Sequence, residues 1–71
     1  MIKVGDRTKK IRLQKGFTQE QLARLIGRPT SYVTRFELNE FQNPKIDTLK
    51  RFSKALGISV MDFLNEDKNS F

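Results

Sequence analysis

The chain contains no cysteine and no histidine. Without cysteine there is neither a disulfide framework nor a thiolate metal site. Without histidine the usual zinc ligand and the usual general base disappear as well. No apolar run approaches the ~20 residues that a membrane-spanning helix needs, and no secretory leader is visible, so a soluble, cytoplasmic protein with no membrane partner is expected. No stretch alternates apolar and polar residues over a useful length, which argues against a sheet. The acidic residues do not cluster and there is no glycine-rich phosphate loop, so an enzyme is not expected, nor a metal or cofactor. No ligand domain is attached, so no small-molecule effector is expected either. An RNA-binding module would need an exposed aromatic platform that this sequence lacks.

What is present is uneven charge. The 71 residues carry a formal net charge of +6. Residues 1–35 hold nine basic and two acidic side chains, whereas residues 36–71 hold five and six. A sign asymmetry of this kind is expected when one face meets a polyanion. The length suits one domain, residues 1–71, burying roughly 60% of its unfolded surface.

Helix signals follow one another along the chain. Gly5-Asp6 reads as a helix start with Asp6 as N-cap, and the first helix runs to about Lys15 before Gly16. Val4, Thr8 and Ile11 share its inner face, and Arg12 falls on that inward side next to Ile11. The central stretch, residues 18–37, reads as two short helices around a tight turn. Thr18 and Gln21 have capping-box spacing. Leu22, Leu25 and Ile26 recur at helical spacing, and Gly27 ends that helix. The next helix turns Val33, Phe36 and Glu37 inward and leaves Thr30, Ser31, Tyr32, Thr34 and Arg35 on a polar, partly cationic face suited to reading base edges. Asn39 is a left-handed cap candidate, and Pro44 keeps any helix from crossing Asn43. A fourth helix spans about 46–56, with Leu49, Phe52, Ser53 and Leu56 inward and Lys50, Arg51 and Lys54 outside. A fifth begins at Ser59, where Ser59-x-x-Asp62 again has capping spacing. The fold expected is all-α, with five helices.

Gln19-Glu20-Gln21-Leu22-Ala23, Gly27 four residues later, then Val33 and Glu37, resemble the helix-turn-helix of lambda-repressor-like proteins of the XRE family. The resemblance continues through Asn43-Pro44, Ile46-Asp47-Thr48-Leu49 and Lys54-Ala55-Leu56-Gly57-Ile58-Ser59, covering about residues 5–64 without a gap. It implies a compact five-helix domain that binds operator DNA as a symmetric dimer, its third helix in the major groove. Tyr32-Val33 after a hydroxyl residue is also similar to the segment in controller proteins of restriction–modification systems, where the tyrosine touches DNA.

Carried over residue by residue, the resemblance places Thr30, Ser31 and Arg35 at base-reading positions, with Thr34 on the same face. A guanidinium can bond guanine O6 and N7 together, which makes Arg35 the most informative of the four. Gln19 matches a phosphate contact, the alternative being a plain helix former. Asn43 and Lys45 flank the loop that runs beside the phosphates in this family, and Arg28 joins that group. Tyr32 either touches phosphate or packs against its own helix. Arg12 and Glu37 match a buried ion pair between the first and third helices. Three positions depart from the pattern. Pro29 stands where a polar N-cap is usual, so that either it acts as an N1 proline or Thr30 caps a shorter helix. Asn39 replaces a glycine, and Thr8 an aliphatic residue.

A homodimer is expected, since one recognition helix reads only a few base pairs. The segment 58–71 is the expected interface, centred on Phe63 with Met61 and Phe71, and Phe41 is a second candidate. The alternative makes Phe63 internal core and Phe41 a stray exposed aromatic. The function expected is a sequence-specific double-stranded DNA-binding regulator, a repressor or self-regulating controller on a pseudo-palindromic operator. The rival is an antitoxin-type protein-interaction module with secondary DNA binding, although the partner-binding segment such a module would carry is missing.

Overall fold

Left-handed residues punctuate the chain: Gly16, Gly27, Asn39 and Gly57 all have positive φ, and each follows a helix. The computed structural model describes residues 3–41 and 43–64. Within them lie α1 (Val4–Lys15), α2 (Gln19–Ile26), α3 (Thr30–Glu37), α4 (Ile46–Leu56) and α5 (Val60–Leu64). Among the described residues there is no strand.

The starts of these helices are set by different devices. At α2, Thr18 Oγ1 accepts the Gln21 N–H at 3.0 Å while Gln21 Oε1 accepts the Thr18 N–H at 2.8 Å, a complete capping box. Ser59 Oγ accepts the Asp62 N–H at the start of α5. The start of α1 differs from the sequence expectation. Asp6 is not the N-cap; the helix begins three residues earlier than that cap would place it, with Lys3 as N-cap, whose side chain makes no cap bond. The missing acceptor comes instead from far along the chain. Asn39 Oδ1 takes the Gly5 N–H at 2.9 Å, and its Nδ2 donates to the Asp6 carboxylate at 2.8 Å. At α3 neither sequence alternative holds: Pro29 is itself the N-cap, extended at φ −63° and ψ 153°, and Thr30 is the first helical residue.

The core is built where α1, α2, α3 and α4 meet. Leu22, Ala23 and Ile26 of α2 pack with Val33 and Phe36 of α3 and with Leu49, Phe52 and Leu56 of α4. Phe36 and Phe52 stack with ring centroids 4.2 Å apart. Thr8, on the inner face as its spacing implies, is fully buried, and its hydroxyl donates to the Val4 carbonyl at 2.8 Å, so no polar atom is stranded there. Phe63 is also fully buried, in the core cluster with Ile11 and Phe52. Arg7 braces α5 from α1, donating to the carbonyls of Asp62 and Phe63.

Two sequence expectations therefore fail. Phe63 has no exposed surface with which to centre a dimer interface; it belongs to the core. Leu25, expected inside, is 56% exposed. Leu25→Gln is accordingly expected to leave stability within about 0.5 kcal/mol of the parent, measured as the urea midpoint. Met61 remains on the surface, whereas Phe71 lies outside the described residues. Phe41 is no stray aromatic. It is half-buried, its ring 5.2 Å from that of Tyr32 and 6.1 Å from that of Phe36.

Candidate nucleic-acid interface

An amphipathic helix of eight residues has one turn or so of free surface, and α3 uses it for polar groups. Val33, Phe36 and Glu37 face inward, whereas Thr30, Ser31 and Arg35 are exposed. The turn from α2 into α3 depends on Gly27, whose φ of 72° would strain most other residue types. Its N–H bonds the Arg24 carbonyl, and the following Arg28 N–H bonds the Ala23 carbonyl. The angle between the two helices is thus held by backbone as well as by packing.

A continuous polar chain fixes the register of α3 from below. Thr34 Oγ1 donates to Gln19 Oε1 at 2.8 Å, and Gln19 Nε2 donates to Glu37 Oε1 at 3.0 Å. The Glu37 carboxylate takes both Nε and Nη2 of Arg12, at 2.6 and 3.1 Å, and Arg12 Nη1 donates to the Phe17 carbonyl. The pair is buried, with side-chain exposures of 8% for Arg12 and 2% for Glu37. Three helices are cross-linked by this one network. It also changes the reading of two site residues. The Thr34 hydroxyl has two acceptors within the domain, Gln19 Oε1 at 2.8 Å and the Thr30 carbonyl at 3.3 Å, so its proton is not offered outward, and the Gln19 carbonyl oxygen lies against Thr34. Both serve first to lock α2 against α3, and Gln19 retains one amide hydrogen beyond the one given to Glu37.

Arg35 stands at the far end of the exposed face. Its side chain is 59% exposed, Nε donates to Glu40 Oε1 at 3.0 Å, and the guanidinium lies 5.0 Å from the centroid of the Phe41 ring. Tyr32 is half-buried among Phe36, Phe41 and Phe52, with the Arg28 guanidinium 5.5 Å above its ring. Packing against its own helix and touching a ligand are therefore compatible for this residue.

A family model described as Helix-turn-helix matches residues 9–63, most of the chain and the whole of α2, α3 and the turn between them. The chain belongs to the helix-turn-helix family. It is 38% identical over 63 residues to SinR, an HTH-type transcriptional regulator of Bacillus licheniformis, an overlap of 89% of this chain and 57% of that protein. The chain thus spans little more than half the length of that regulator. The fold superposes on SinR in complex with DNA with a TM-score of 0.78 at 35% identity, covering 87% of this chain and 98% of that one. It superposes similarly on a mutant of the Restriction-Modification Controller Protein C.Esp1396I, with a TM-score of 0.77 at 39% identity, covering 86% and 80%.

Beside this helix-turn-helix the structure gathers Arg28 and Lys45, both expected at phosphate contacts, together with Arg51. A pocket of about 250 Å³ is lined by Arg28 and Tyr32 from one side and by Lys45, Asp47 and Arg51 from the other. Arg51, read from sequence as one of several outward cations, is part of this cluster, and its Nη1 reaches the Ile26 carbonyl at 3.5 Å. The signal was its position one helical turn after Asp47, on the face that faces α2. Asn43 is exposed before Pro44, and no contact described among these residues ties it to the cluster. Among the described residues no helix is long and apolar enough to cross a membrane.

Proposed function

We propose that this chain is a sequence-specific double-stranded DNA-binding transcriptional regulator that lays α3 in the major groove. The observation that carries the reading is the exposed face of α3, where Thr30, Ser31 and Arg35 project from a helix locked to α2 by Thr34, Gln19 and Glu37. A stiff, polar, hydrogen-bonding rod is what base-edge readout needs. The cations around Tyr32, namely Arg28, Lys45 and Arg51, supply the sequence-independent attraction to phosphate. The likeness to SinR in complex with DNA supports the same docking. The protein acts in the cytoplasm as a homodimer on a pseudo-palindromic operator, because one recognition helix spans only a few base pairs and two must lie about one helical turn (~34 Å) apart. Among the described residues of the expected interface, Met61 is exposed and open to that contact. Repression or self-regulating control by blocking or recruiting polymerase is the outcome.

The test is a binding titration against an operator selected from a random pool of duplexes. Arg35→Ala should lose about 1–3 kcal/mol of discrimination at one or two base pairs, while the parent's affinity falls with salt at a log–log slope near −0.9 per phosphate neutralised. Uniform weakening on every sequence would reduce Arg35 to a phosphate contact, and a flat salt response would remove DNA as the partner.

A further inference from the structure

Helix α3 ends in a Schellman turn: the Asn39 N–H bonds the Phe36 carbonyl at 3.0 Å and the Glu40 N–H bonds the Arg35 carbonyl at 3.2 Å. The left-handed residue that makes this turn, Asn39 at φ 62°, is itself held by the start of α1 through Gly5 and Asp6. The backbone of Glu40 is therefore pinned to the backbone of Arg35, and the two side chains leave the last turn on the same edge. There the Glu40 carboxylate takes Nε of Arg35 at 3.0 Å, and the Phe41 ring lies beneath the guanidinium. Phe41 is in turn seated against Tyr32 and Phe36.

We infer that Glu40 is a positioning residue for base readout: it grips the Nε edge of Arg35 so that the Nη end of the guanidinium is offered to a guanine. This rests on the reading of Arg35 as a base-contacting residue. A guanidinium carries five N–H groups in a planar fork. Nε is occupied by Glu40, and among the described residues neither Nη has a partner, so the two that would fork onto guanine O6 and N7 stay available. An arginine free in solution samples many rotamers and loses that freedom on binding. Held beforehand on one edge and one face, it loses less, and only when the base it meets matches the fixed fork. A carboxylate beside DNA also repels phosphate, so Glu40 lowers affinity for all sequences while sharpening the choice among them. The opposite signs of these two effects make the role separable from simple repulsion.

The experiment measures dissociation constants of the parent, Glu40→Ala, Glu40→Gln, Arg35→Ala and the Arg35→Ala/Glu40→Ala double variant. The probes are the selected operator, its single-base-pair substitutions and a scrambled duplex, with the urea midpoint as a folding control. Glu40→Ala is expected to reduce guanine preference about 3- to 10-fold at the base pair that Arg35→Ala affects, while binding to the scrambled duplex tightens. Glu40→Gln, which keeps an acceptor oxygen without the charge, should recover part of the preference. In the Arg35→Ala background Glu40→Ala should change no base preference. If Glu40→Ala tightens binding to every duplex equally, the carboxylate only repels phosphate and the inference is overturned. If Arg35→Ala itself leaves every base preference intact, the base-reading role of Arg35 has failed first, and the inference fails with it.

Discussion

Glu37→Ala is expected to cost about 3–5 kcal/mol, the penalty for breaking one side of a buried ion pair. A chain of 71 residues has a total stability on the order of 0.05–0.15 kcal/mol per residue, about 4–11 kcal/mol in all, so this loss removes a large share of it. The reason lies in what remains behind. The Arg12 guanidinium, only 8% exposed, loses the acceptor for both Nε and Nη2 and keeps the Phe17 carbonyl alone. Gln19 loses the acceptor for its amide as well. Arg12→Ala should be comparably severe, because it strands the carboxylate of Glu37. Replacing both together, Arg12→Met with Glu37→Leu, should restore most of the stability, since no buried charge is left without a partner. Urea unfolding followed by circular dichroism measures all three. A loss below about 1 kcal/mol in either single variant would mean that the pair is hydrated rather than buried.

Gly5→Ala is expected to destabilise by about 3 kcal/mol, the upper range for forcing extra volume into a packed interior. Helix propensity predicts the opposite sign, since alanine in a helix is favoured over glycine by about 1 kcal/mol. Gly5 sits in the first turn of α1 and is buried against the end of α3. A methyl group there would lie 2.2 Å from the Phe36 carbonyl oxygen and 2.5 Å from Asn39 Oδ1. The first of these is backbone and cannot swing aside. Relief requires α1 to lift away from α3, which breaks the Gly5 to Asn39 bond and loosens the Schellman turn. The urea midpoint decides between the two signs, and an unchanged or raised midpoint would show that α1 docks less tightly than its geometry indicates.

The helices were legible because their signals are local. Thr18 with Gln21, Ser59 with Asp62 and the glycines after α1, α2 and α4 act within a few residues of where they stand in the chain. The buried partnership of Arg12 with Glu37 was legible from the resemblance, and the structure places the two atoms of each group face to face. The errors have a common origin in contacts that span the fold. Asp6 looked like a cap because its true counterpart, Asn39, is supplied from the end of α3. Periodicity showed that α2 has an apolar face but not how wide the buried arc is. Leu22, Ala23 and Ile26 fill it, and Leu25, at about 100° per residue, falls off its edge. Phe63 looked available because the fifth helix was the expected dimer segment, yet Arg7 pins its backbone to α1 and its ring fills the core. Within the candidate site, the exposed side of α3 was legible from its polarity. The inward commitment of Thr34 to Gln19 and the grip of Glu40 on Arg35 were not, since both depend on side-chain direction rather than on residue type.

The chain has one tyrosine and no tryptophan. That tyrosine, Tyr32, is sandwiched between the aromatic core and the Arg28 guanidinium, on the very helix proposed to enter the groove. Its ultraviolet emission is therefore an optical label supplied by the chain itself, sensitive on one side to the integrity of the interior and on the other to whatever approaches the cation. A single spectroscopic channel can follow both assembly of the domain and docking of a duplex, with no dye attached and no tryptophan to mask it.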